Sequence, residues 1–209
     1  MKRTFKIFVD FDKEENWLNR MTAEGHLLAT AGPLYSFIPI TPGSAVVRTD
    51  YRPRMSAADF DDYVSLFSDA GWQHLRGSRT SGYQYFASTD GATDAEIFSD
   101  PGSKAQRYRR ALGVNAALAF PFLVLVWILW TTGNSAFDTL LSPDKWYLTP
   151  GIWEKQGWEF LGAVLFETPF VALRVGAPIL LIAAVLAMLA LAVYQGILYR
   201  RAMMYSKAG

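Results

Sequence analysis

Cysteine is absent from all 209 residues, and histidine occurs only at His26 and His74. The first absence excludes disulfides, thiolate-ligated zinc and thiol nucleophiles. The second leaves no HxH or HExxH spacing, so each histidine reads as a surface or hydrogen-bonded residue at a strand start. P-loop, GxGxxG and GxSxG segments are also missing, which removes the familiar phosphate cradles and nucleophile elbows. The apolar run behind Met1-Lys2-Arg3, from Phe5 to Phe11, is broken by Lys6 and Asp10 and is too short for a secretory h-region. Residues 1–100 carry ten Lys/Arg against fourteen Asp/Glu, a net of −4, and so offer no electrostatic footprint for nucleic acid. No catalytic residue, metal or cofactor is expected, and the reading is that of a non-enzyme.

Two long uncharged stretches are present, Ala111 to Thr132 and Val175 to Tyr199. Each exceeds the roughly 20 residues that cross a hydrocarbon core as a helix. Lys104, Arg107, Arg109 and Arg110 precede the first; Arg200, Arg201 and Lys207 follow the second. The segment between, Gly133 to Arg174, holds three Lys/Arg against five Asp/Glu. The positive-inside rule then puts both termini in the cytoplasm and residues 133–174 outside. Pro121 is expected to kink the first span. Gly113 and Ala117, with Ala183, Ala187 and Ala190, are small enough to let the two helices approach. Asn115 and Gln195 fall at similar depth, and either hydrogen-bond across the hairpin or reach interfacial water. The external aromatics Trp146, Tyr147, Trp153, Trp158 and Phe160 suggest a short interfacial or re-entrant helix, serving as an anchor or as a sensing surface.

Ahead of the spans the period changes. Phe5, Ile7, Val9 and Phe11 alternate as on a half-buried strand. Asp12, with Glu15 three residues on, reads as the cap of a helix ending before Gly25, with Trp17, Leu18 and Met21 on one face. Strands are expected over His26–Ala31 and Leu34–Ile38. The pattern recurs: a strand over Ala45–Tyr51, a helix capped by Ser56 with Asp59 at its third position, then Trp72–Arg76 and Tyr83–Ala87. Asp59, Asp61 and Asp62 sit in that helix's first turn, where negative charge is favoured, so capping accounts for them. Trp17-x-x-x-Met21-x-x-x-Gly25-His26-Leu27 aligns with Tyr63-x-x-x-Phe67-x-x-x-Gly71-Trp72-Gln73. Two strand–helix–strand–strand units predict an α+β fold: an antiparallel sheet of about six strands with two helices on one face, followed by an all-α two-helix transmembrane hairpin. Tyr35, Phe37, Tyr83 and Tyr85 would gather on the open face, either as a surface for a peptide, a protein or an apolar ligand or buried against a second copy or the membrane hairpin.

The domain plan is therefore 1–100 as a cytoplasmic α+β domain, 101–110 as a basic juxtamembrane helix, 111–132 and 175–199 as spans, 133–174 as the external segment and 200–209 as a tail. The basic run either binds anionic headgroups or is received by Glu96 and Asp100 as a clasp that couples domain to membrane.

Phe8-Val-Asp-Phe-Asp-Lys-Glu-Glu-Asn-Trp-Leu-Asn, Asp50-Tyr51-Arg52, Tyr63 to Trp72, and Glu96-Ile-Phe-Ser-Asp100 ahead of Ser103-Lys104 and Arg107-Tyr108 resemble the bacterial domain-of-unknown-function family 2812, over about residues 4–110. The resemblance implies a soluble front domain followed by hydrophobic segments in the cell (inner) membrane, and no established activity. Members are often encoded near PadR-type winged-helix regulators, which points toward membrane-linked signalling. The function expected is a sensor or adaptor working with the lipid bilayer and with a protein partner or a second copy of the chain. The alternatives are an accessory subunit of a transport or antimicrobial-peptide immunity system, and an enzyme acting at the membrane face.

Overall fold

Asp10 starts the first helix. Its carboxylate accepts from the backbone N–H groups of Asp12 and Lys13 at 3.0 and 3.3 Å, satisfying donors that every helix start leaves unpaired, and α1 runs over Phe11–Ala23. The cap expected at Asp12 is thus corrected to Asp10; Asp12 is instead engaged by Arg107 and Tyr108. The first strand, β1, is correspondingly short, Lys2–Phe5. Phe5 and Ile7 are exposed whereas Phe11 is buried at the head of α1, so the alternating set does not form one strand face.

The computed structural model describes residues 2–88, 96–98, 100–131 and 139–208. After α1 come β2 (His26–Thr30), β3 (Leu34–Pro39), β4 (Val46–Arg52), α2 (Ala57–Asp69), β5 (Trp72–Arg76) and β6 (Gly82–Ser88). The duplication is close. Adding 46 to each residue number carries Phe11–Ala23 onto Ala57–Asp69 and His26–Thr30 onto Trp72–Arg76. The irregularity in register between Leu28 and Thr30 is likewise carried onto the one between His74 and Arg76. Both helices end at a glycine of positive φ, Gly25 (83°) and Gly71 (82°), a conformation that costs an L side chain and leaves glycine free. The capping box expected in α2 is present, Ser56 Oγ accepting from Asp59 N while Asp59 accepts from Ser56 N.

The strands do not form one sheet. Each repeat closes its own three-stranded antiparallel sheet, in the orders β1-β3-β2 and β4-β6-β5. The helices also differ from the expected placement. On β4 and β6, neighbouring residues point to opposite faces, and both faces are covered. Val46 and Phe86 pack with Tyr63 and Phe67 of α2, while Val47 and Tyr85 pack with Trp17, Leu18 and Met21 of α1. The second sheet therefore lies between the two helices. α1 also completes its edge: Asn19 Nδ2 donates to Val47 O (3.1 Å) and Asn19 Oδ1 accepts from Val47 N (2.8 Å), as a further strand would.

The chain divides into two compact units, Met1–Val114 with Leu191–Gly209, and Asn115–Ala190. Two long helices run through that division, α3 (Pro101–Thr131) and α4 (Gly157–Ala208). Gly102–Thr131 and Gly157–Met204 each hold an 18-residue stretch, of mean hydropathy 2.3 and 2.6, that is little buried, so both helices are long and apolar enough to cross a membrane. The molecule is a membrane protein with two spans. The end of the first expected span at Thr132 and the start of the connecting segment, 133–138, lie outside the described residues. α4 merges the interfacial helix expected near Phe160 with the second span, in 52 residues that include Pro169 and Pro178. In the second unit, Glu167 on α4 accepts from the backbone N–H groups of Leu148 and Thr149, and Arg174 donates to Trp146 O (2.6 Å). The aromatic segment is thereby strapped to α4.

Candidate functional site

The face of α1 that carries Phe11, Leu18 and Met21 also carries Glu14, at the 3–4–3 spacing of a helical stripe. Its side chain is 1% exposed. The hydroxyls of Tyr35 on β3 and Tyr85 on β6 both donate to Glu14 Oε1, each at 2.7 Å. Above this group lies a cavity of about 490 Å³, a size usual for small-molecule sites. Its walls come from both repeats: the β2–β3 turn with Ala31 and Pro33, the β5–β6 turn with Gly77 and Ser81, and Phe8 and Tyr83 between them.

Burial raises the Glu14 carboxyl above its ordinary range; the two tyrosine hydrogen bonds pull it down without prevailing. Burial, reinforced by the carboxylate, raises Tyr35 and Tyr85 as well and pushes Tyr83 up to about 12. All three phenols are thus neutral hydrogen-bond donors at any physiological pH.

A second constellation starts at the next residue. Glu15 Oε1 accepts from Thr49 N (2.9 Å), Thr49 Oγ1 (3.0 Å) and Arg107 Nη1. Arg107, in the second turn of α3, is fully buried, and its Nη2 donates to Asp12 at 2.6 Å. Burial alone would lower the guanidinium's pKa, but Glu15 and Asp12 outweigh it and leave it raised. Tyr108 donates to Asp10 (2.8 Å) and Asp12 (2.9 Å), and its ring lies 5.0 Å from that of Phe11. Arg110 pairs with buried Asp50 at 2.5 Å, and Asp50 also receives Tyr63 (3.0 Å) and Arg52 (3.1 Å). Leu198 and Tyr199 of α4 pack on the same Phe11–Tyr108–Ala111 cluster. The first turns of α3 are therefore built into the amino-terminal domain.

The residues singled out in the sequence fall as follows. Tyr35, Phe37 and Tyr85 are buried against α1, so no open aromatic face exists; Tyr35, Tyr83 and Tyr85 line the cavity and Phe37 lies in the core. Of the basic run, Arg107 is buried, Lys104 and Arg110 are ion-paired, and Arg109 is exposed. Glu96 meets both Lys104 (3.2 Å) and Arg48 (3.5 Å), while Asp100 accepts from Ser103 N (2.8 Å) at the head of α3. Gln195 is buried and Asn115 half-buried. His74 bonds Gln84 at 3.0 Å with its ring against Phe60 and Phe86, and His26 opens β2 opposite Pro39. In the sequence reading Glu14 and Glu15 have a part only in starting the helix, Glu15 as capping partner of Asp12, and Asn19 has none. The visible signal was a carboxylate standing on the apolar stripe of α1.

A duplicated α+β domain whose exit helix continues into an apolar span defines a class of two-span membrane protein. The chain belongs to the family DUF2812, described as a protein of unknown function, whose model matches residues 10–120. That match begins at the α1 cap and ends inside α3, beyond the Arg107 dock. No curated protein and no solved structure matches the chain.

Proposed function

We propose that the protein is a non-enzymatic sensor or adaptor of the inner membrane. In this reading the amino-terminal domain and both termini are cytoplasmic, the domain binds a ligand or partner, and occupancy is relayed to the membrane hairpin. One observation carries the relay: Glu14 at the cavity and Glu15 on Arg107 are consecutive residues of α1. A shift of α1 that serves one necessarily moves the other, and Arg107 lies on the helix that continues as the span. The exposed register partners Phe5 and Leu34 offer apolar surface for a protein partner or a second copy.

The coupling is tested by hydrogen exchange in lipid nanodiscs. Filling the cavity with Ala31→Trp is expected to change exchange across 115–131, and a Gly-Ser-Gly insertion after Gly113 to abolish that change while leaving the dock protected. Unchanged exchange across 115–131 on filling would sink the relay. Because cysteine is absent, orientation is read from single cysteines at Arg3 and Lys155. An impermeant thiol reagent on intact cells should reach Lys155→Cys and spare Arg3→Cys; the converse would reverse the topology.

A further inference from the structure

We propose that the cavity above Glu14 binds a hydrophobic organic cation, an amine or quaternary ammonium with an aromatic or aliphatic body, whose charge is received by the Glu14 carboxylate and its ring of tyrosines. This names the ligand class of the sensor reading and rests on it.

The fold does not call for a carboxylate there. The 46-residue shift that superimposes the repeats carries Glu14 onto Phe60, which packs in the second core against His74. The same helical position is apolar in one repeat and acidic in the other. A buried carboxylate is expensive unless a cation accompanies it. Among the described residues none forms an ion pair with Glu14. Arg107 is near enough to be felt electrostatically but is committed to Glu15 and Asp12. The tyrosines both donate to Oε1, and Oε2 takes no hydrogen bond from the described residues. One carboxylate oxygen is thus held in place and the other is left for something else in the cavity.

The walls fit a cation as well. Phe8, Tyr35, Tyr83 and Tyr85 line the same space, and an aromatic ring attracts a cation placed over its face. The chain's own ammonium illustrates the preference: Lys6 Nζ rests 4.8 Å from the Trp17 ring and 5.1 Å from the Phe8 ring. An anion finds less. Arg76 is spent on the carbonyls of Ala29 and Leu75, Lys6 on the rings, and Glu14 repels negative charge. A volume of about 490 Å³ accommodates a ligand of drug-like size rather than a bare ammonium ion.

Binding should also be linked to protons. The charged and titratable groups around Glu14 are Tyr35 from β3, Tyr83 and Tyr85 from β6, Glu15 on its own helix and Arg107 from α3, with Lys6 ahead of α1 and Arg76 of β5 on the walls of the same cavity. The phenols stay neutral and Arg107 stays charged, so Glu14 is the group whose ionisation a fixed cation favours. Protons are then released on binding, and affinity rises with pH through the Glu14 titration.

The test is calorimetry on the full-length protein in nanodiscs with three probes of one shape: benzyltrimethylammonium, its neutral carbon isostere neopentylbenzene, and the anion phenylmethanesulfonate. The cation should bind at least about tenfold more tightly than the neutral probe, with a heat that depends on the buffer's ionisation enthalpy. Glu14→Gln should abolish that preference. Should Glu14→Gln not fold, Glu14→Asp serves instead and should keep the preference at reduced affinity. Equal affinity for cation and neutral probe would overturn the inference but leave an apolar-ligand sensor standing. Tightest binding of the sulfonate, lost in Lys6→Ala, would replace the inference with an anion site. Binding of no probe overturns it too, whereas the exchange experiment above judges the relay alone.

Discussion

Glu14 and Glu15 are adjacent in sequence but serve different sides of α1. Glu14 accepts from Tyr35 and Tyr85 under the cavity; Glu15 accepts from Thr49 and from buried Arg107. Successive residues on a helix are about 100° apart around its axis, so one helix can line a pocket and hold a neighbouring helix at once.

Arg107 should dominate the stability of the dock. Replacing it by methionine strands Glu15, a buried carboxylate, and removes the donors to Thr49 O and Asp12. The expected loss is about 3–5 kcal/mol, measured by denaturant unfolding in detergent. Arg107→Lys should recover only part, since a single ammonium cannot span Glu15 and Asp12 as the planar fork does. Arg109→Ala, on an exposed residue of the same turn, should stay within about 0.5 kcal/mol. Equal effects at 107 and 109 would refute the dock.

Asn19 should matter beyond its size. It supplies both a donor and an acceptor to the backbone of Val47, whose side chain is fully buried. Asn19→Ala leaves the Val47 N–H unpaired and its carbonyl with Arg48 Nη1 alone (3.3 Å), at a cost of about 2 kcal/mol. Asn19→Asp keeps the acceptor but sets a carboxylate oxygen against Val47 O. It should therefore be worse at neutral pH and recover as the medium is acidified. A destabilisation independent of pH in Asn19→Asp would contradict this pairing.

Glu14 should give the protein a pH-dependent stability of definite sign. Its folded-state carboxyl is raised above the ordinary 4.5, chiefly by burial. The folded state therefore binds the proton more tightly than the unfolded one. That stabilisation is complete below the ordinary value and is lost as pH rises through the folded value. Glu14→Gln should accordingly be more stable than the parent on the alkaline side, with the difference vanishing in acid. Urea midpoints from pH 4 to pH 8 check it, and parallel curves for the two proteins would exclude a raised carboxyl.

Periodicity and capping made most of the elements legible. Ser56 and Asp59, the glycines at 25 and 71, and the repeat itself lie where local chemistry put them, because each depends on residues a few positions apart. The same reasoning misplaced the first cap. Asp10 and Asp12 are equally good caps in isolation, and the contact that distinguishes them is the bond from Arg107 to Asp12, nearly a hundred residues away in sequence. It also opened an aromatic face that is closed. Alternation along β3 and β6 tells which residues share a side, not which side is covered, and two three-stranded sheets leave α1 against Tyr35, Phe37 and Tyr85.

What the sequence determined by itself is the plan: a cysteine-free duplicated α+β unit, then two stretches long and apolar enough to span a membrane. Their lengths, charges and 46-residue repeat are local quantities and need no fold to be read. What the tertiary structure alone decided is the use of the charges. Lys104, Arg107, Arg109 and Arg110 looked like one basic run, but burial distinguishes Arg107, enclosed among carboxylates, from Arg109, left exposed. Glu14 looked like one of two acids at a helix start. Desolvation beneath Tyr35 and Tyr85 makes it the one carboxylate for which a cationic ligand would be a natural partner.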